Sequence, residues 1–142
     1  MTTAPETATQ SSDNNANKSA LIIGLDPNLI DFSSPEFEAF PGMTAAKVMV
    51  GLDAAVEGMK SLGYEAQHCL TDFGETAVEI VTAQLQRRHF DCVLIGAGVR
   101  TTPSNFILFE KLVNVVHEHA PRSKICFNTK PSDTLEALQR WI

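Results

Sequence analysis

The sequence predicts an α/β domain whose short parallel sheet is covered by helices on both faces. Four short apolar runs are continuous rather than alternating, as strands buried on both sides must be. Each is followed by a stretch whose apolar residues recur at helical spacing. Runs and stretches alternate along the chain, the pattern of parallel strands joined by crossover helices. A length of 142 residues fits one such domain.

Residues 1–18 are rich in Thr, Ser, Asn and Ala, with no large apolar residue after Met1. Such a stretch cannot bury enough surface to offset its ordering entropy. A disordered tail over 1–18 and a single domain over 19–142 are therefore expected. Ala20 to Leu25 reads as the first strand, ending at Asp26-Pro27. Thr44 to Leu62 reads as a helix with Val48, Leu52, Val56, Met59 and Leu62 on its inner face, stopped by Gly63. Tyr64 to Leu70 is a second, weaker strand. Glu75 to Arg88 is a helix that turns Val78, Val81 and Leu85 inward.

Phe90 to Ile95 is the strongest strand, closed by Gly96-Ala97-Gly98. The next helix starts near Pro103 with Thr102 as its cap, buries Phe106, Phe109, Leu112, Val113 and Val116, and ends at Pro121. Lys124 to Asn128 is the fourth strand. Asp133, with Glu136 three residues on, opens a last helix that places Leu135, Leu138 and Trp141 or Ile142 inward. Right-handed crossovers then favour a four-stranded parallel sheet in the flavodoxin-like order 2-1-3-4, in three αβα layers. Residues 27–43 break the rhythm, because most connections in such folds run about 2–6 residues. With Phe32, Phe37 and Phe40, this segment reads equally as a lid or as a loop that packs over an uncovered part of the sheet.

The net charge of -6 and a pI near 5.1 argue against nucleic-acid partners, which need clustered Lys and Arg. The one close basic pair, Arg87 and Arg88, ends a helix, where cations complement the macrodipole. There is no apolar run of the roughly 20 residues needed to span a bilayer, and no secretory signal. Cys69, Cys92 and Cys126 each fall in a predicted strand, as buried, reduced thiols do, so a cytoplasmic location without disulfides or a metal is expected.

Ligands of open parallel sheets bind beyond the carboxyl ends of the strands, where strand order reverses. Those ends supply Asp26, then Thr71 and Asp72, then Gly96, Gly98 and Arg100, and finally Asn128, Thr129 and Lys130. The Gly96-Ala97-Gly98 turn can bring backbone amides close to an anion, with Arg100 adding a fork of donors. The run is not a dinucleotide fingerprint, because Thr101 holds the third glycine position. Walker and nucleophile-elbow motifs are absent. Asp26-Pro27-Asn28-Leu29 stands where a flavin phosphate loop would, so no cofactor is expected. His117 and His119 lie two apart on a helix and make a poor chelate. Asp72, three residues before Glu75, reads chiefly as a helix cap and secondarily as a carboxylate partner for Asp26.

Leu25-Asp26-Pro27, the strand from Phe90 to Ile95 and the Lys130-Pro131 turn together resemble the receiver domains of response regulators. The resemblance implies the flavodoxin-like fold. Gly96 stands where a receiver presents its phosphoacceptor aspartate, only Asp26 is available where receivers use an acidic pair, and four strands stand for five. The form is pseudo-receiver-like, without phosphorylation chemistry.

Three functions follow from these residues. The first is a regulatory module binding a small molecule or anion, such as an anionic metabolite, through Gly96, Ala97, Gly98, Arg100, Asn128 and Lys130. The alternative is a small enzyme with Asp26 as acid/base or magnesium ligand, Arg100 and Lys130 stabilising negative charge, and the Phe-rich segment closing over the substrate. The third, compatible with either, is a homodimer that covers the sheet edges and the apolar C-terminal residues.

Overall fold

The computed structural model describes residues 18–142. All but Lys18 of the expected tail lies outside the described residues. Four strands, β1 (Ser19–Leu25), β2 (Glu65–Thr71), β3 (Cys92–Ile95) and β4 (Lys124–Phe127), form one parallel sheet in the order β2-β1-β3-β4. This is the expected order, consistent with a flavodoxin-like fold. The helices are α1 (Ala45–Ser61), α2 (Ala77–Arg87), a single turn α3 (Ala97–Arg100), α4 (Phe106–His119) and α5 (Thr134–Gln139). No helix of the described residues is long and apolar enough to cross a membrane.

The continuous apolar runs are explained by the two faces of the sheet. Leu21, Ile23 and Leu25 of β1 join Val93 and Ile95 of β3 in a core closed by α2 and α4. Ala20 and Ile22, with Cys92 and Leu94, point the other way into a core closed by α1 and α5. Because successive side chains alternate between faces, a central strand buried on both must be apolar at every position. Complete burial of each Leu or Ile there is worth about 1.5–3 kcal/mol relative to exposure. All three cysteines are buried and free. Cys92 and Cys126 meet across β3 and β4 with their Sγ atoms 3.4 Å apart.

Thr44 caps α1, its Oγ1 accepting from Lys47 N at 3.2 Å. The helix ends in a Schellman turn: Gly63 N donates to Lys60 O, Tyr64 N donates to Met59 O, and Gly63 takes φ 90°. Leu52 and Met59 face the core as expected. Leu62 is 44% exposed, because the turn that ends the helix carries it off the inner face.

The expected stripe of α4 holds at Phe109, Leu112, Val113 and Val116 and fails at Phe106. Phe106 is exposed, while Leu108, Leu112, Val115 and Val116 are buried, with Phe109 and Val113 half-buried beside them. Thr102 does precede Pro103, but Pro103–Asn105 forms a 3-10 turn and α4 begins only at Phe106. Phe106 is thus the first residue of α4. The buried Asn105, whose Nδ2 donates to Gly98 O at 3.1 Å, ties this turn to α3. At the C-terminus, Leu138 and Ala137 are buried and Ile142 packs against the α1/α5 core, whereas Trp141 is exposed.

Both expected capping boxes are replaced by denser local networks. The Asp72 carboxylate accepts from Gly74 N, Thr76 N and Thr76 Oγ1, closing the turn into α2 without Glu75. Asp133 accepts from Thr129 N, Thr129 Oγ1 and Lys130 N, inside a 3-10 turn that precedes α5. Hydrogen bonds from Thr76 hold the Asp72 carboxyl below its ordinary value near 3.8. The stability it contributes is therefore complete above that value and lost as pH falls through the lower folded-state pKa. Asp72→Asn should flatten the loss of melting temperature as pH falls below the ordinary carboxylate range, measured by circular dichroism, relative to the parent chain.

Two glycines let α1 lie close to the segment after β4. A Cβ on Gly51 would sit 2.8 Å from Pro131 Cβ and 3.2 Å from its backbone carbon, and one on Gly58 would sit 2.7 Å from Leu135 Cδ2. Pro131 is anchored by its ring and backbone; the end of Leu135 can rotate. Ala in either place gains about 1 kcal/mol of helix propensity, against an overpacking cost of about 1–3 kcal/mol. Gly51→Ala should lower stability in urea unfolding, while Gly58→Ala should be close to neutral.

Candidate functional site

The carboxyl ends of β1 and β3 open into a cleft of about 730 Å³, its solvent-facing mouth included. About 80 Å³ of it is available to the centres of water-sized molecules. Its floor is Ile23, Gly24 and Leu25 of β1 and the turn Gly96-Ala97-Gly98 after β3. α1 supplies Val48 and Leu52, and the outer wall is Ile30, Phe32, Phe37, Phe40 and Met43. The position matches the strand-reversal point of an open parallel sheet.

The outer wall is the segment 27–43. Its backbone is a chain of tight turns: Leu29 N donates to Asp26 O, Ser34 N to Asp31 O, Phe37 N to Ser34 O, Phe40 N to Phe37 O and Met43 N to Phe40 O. These bonds satisfy the polar backbone locally, so side chains make its attachment to the body. Phe32 and Phe37 stack with ring centroids 5.1 Å apart, and Ile30 packs into the α2/α4 core. Glu36 adds a polar clamp, accepting from Ser104 N at 3.0 Å and from Ser104 Oγ at 2.9 Å. The segment is thus both a packing element and the cover of the cleft.

Gly96, Ala97, Gly98, Asn128 and Lys130 all line the cleft; Asp26 and Arg100 do not. Gly96 caps the turn α3, and the Ala97 N–H, an amide expected for an anion, donates instead to Asn128 Oδ1 at 2.8 Å. Asn128 is 3% exposed, and its Nδ2 donates to Thr134 Oγ1 at 2.8 Å. Arg100 donates through Nη2 to Asn128 O at 2.8 Å and lies over the Phe127 ring, 5.7 Å from its centroid. Its Nε is buried with no partner among the described residues. Asp26 accepts from Asn28 N at 3.0 Å, holding the Pro27–Leu29 turn, and its own N–H donates to Thr71 O.

Sequence reasoning missed Thr101, Thr102, Ile30 and Met43, which also line the cleft. Thr101 follows the glycine turn directly; its Oγ1 donates to Ala97 O at 2.6 Å. No pattern in the sequence distinguished the other three. His68 packs between β2 and α1 with Nε2 3.4 Å from Asp53 Oδ1, and His89 Nε2 lies 3.4 Å from Asp91 Oδ1. Neither lines the cleft. His119 pairs loosely with Glu118 at the exposed end of α4.

The cleft is therefore an apolar chamber. Among the described residues its lining contains no carboxylate, imidazole or thiol, and Lys130 is the single charged residue there. No protein-family model matches the chain, and no curated protein sequence matches it.

Asn128 is the polar joint of the site. Asn128→Ala should strand the buried Ala97 amide and lower stability by about 1–3 kcal/mol in urea unfolding.

Proposed function

We propose that this protein is a small-molecule-binding module, with a regulatory rather than catalytic role. Its ligand occupies the cleft at the carboxyl ends of β1 and β3, under the 27–43 segment. The observation that carries this reading is the cleft itself: concave, mainly apolar, and placed where such sheets bind ligands.

The groups engaged at the strand ends support binding over turnover. The Asp26 carboxylate is spent on its own turn, away from the lining, and Arg100 is spent on the Asn128 carbonyl. An acid/base or anion-stabilising role for these two requires a rearrangement of both. The same engagement moves the expected ligand contact from the glycine turn and Arg100 to the apolar walls.

The test is titration with a neutral fluorescent apolar probe, N-phenyl-naphthylamine. One probe per chain should bind with enhanced emission, and Val48→Phe, which fills the cleft from α1, should weaken binding at least about tenfold (~1.4 kcal/mol). Absence of saturable binding, or indifference to Val48→Phe in a folded variant, would refute the reading.

A further inference from the structure

We infer that the ligand is an amphiphilic monoanion: an apolar body under the phenylalanines, with one carboxylate or sulfonate held at the rim by Lys130. This deepens the binding-module reading and rests on it. Among the described residues Lys130 is the only charged one that lines the cleft, and it is exposed. Among the described residues no ion pair holds its ammonium. Asp133, the carboxylate whose charge feels Lys130, is already accepting from Thr129 and from the Lys130 backbone.

The chemistry of the walls restricts the rest of the molecule. Phe32, Phe37 and Phe40 offer no hydrogen bonds. The Asn128 amide uses its oxygen on Ala97 and its nitrogen on Thr134, and Thr101 donates to Ala97 O. Beyond the Thr102 hydroxyl, a polar body such as a sugar or nucleotide would find few partners for the hydration it loses. A phosphate dianion calls for several converging donors, and the second cation nearby, Arg100, does not line the cleft and donates through Nη2 to Asn128 O. One ammionium-type point charge at a solvent-exposed rim suits one singly charged head group.

The net charge of -6 sharpens the test, because the general field of the chain attracts cations. A preference for an anion must therefore come from the local lysine. The experiment is displacement of N-phenyl-naphthylamine from the full chain by octanoate, octanol and octylammonium, which share one apolar tail. Octanoate should displace the probe about two- to fivefold better than octanol, and octylammonium worst, as for an exposed ion pair. Lys130→Met should abolish the octanoate advantage and leave octanol unchanged; Lys130→Glu should reverse the order of octanoate and octylammonium. Equal displacement by octanoate and octanol, or an octanoate advantage that survives Lys130→Met, would overturn the inference while leaving the binding module intact. Failure of the probe to bind at all would overturn the module, and this inference with it.

Discussion

The architecture of the site depends on one buried amide. Asn128 follows β4 and spends every polar atom of its side chain inside the protein: Oδ1 on the first amide of α3, Nδ2 on Thr134 at the start of α5. Its backbone carbonyl holds Arg100, the last residue of α3. A buried amide is stable only when its hydrogen bonds are made, so these contacts constrain one another. Through them the turn after β3 and the turn after β4 keep a fixed separation. The floor of the cleft and the position of Lys130 follow from that separation.

The same economy explains why the cleft is apolar. At the strand ends, the groups that a sequence reader would assign to a ligand are consumed in making the turns. Asp26, Asp72 and Asp133 each accept amides of their own loop, the behaviour that makes Asp common at turns. What remains to face the open space is hydrocarbon from β1, α1 and the 27–43 segment, with one lysine at the edge. Close packing of α1 against Pro131 at Gly51 closes that side of the chamber.

Strand order, the two-sided core and the location of the cleft were legible in the sequence because they follow from repeated signals. From Ala20 to Leu25 β1 carries no polar side chain, and each strand end falls at a recognisable turn. The exposure of Phe106 was not legible: the 3-10 turn at Pro103–Asn105 makes it the first residue of α4. Leu62 was read as core from spacing, but it lies at a helix end, where periodicity no longer predicts direction, and of Trp141 and Ile142, left open between them, it is Ile142 that packs inward. The roles of Asn128 and Arg100 were not legible either. Their types fit a ligand site and a structural clasp equally, and only the partners across β3 and β4 distinguish these. The phenylalanines of 27–43 were visible as an anomaly, but their common target was not, because it depends on the distance between loop and sheet.

The turn-by-turn hydrogen bonding of the 27–43 segment has a thermodynamic consequence. A strand pulled from a sheet exposes a row of unpaired amides, but this segment can lift without breaking its internal backbone bonds. What opposes lifting is chiefly hydrocarbon contact and the Glu36 carboxylate on Ser104. Exposure of hydrocarbon carries little enthalpy near room temperature and a large positive heat capacity. Lifting of the segment would therefore be opposed mainly by solvent entropy, an opposition that weakens on cooling.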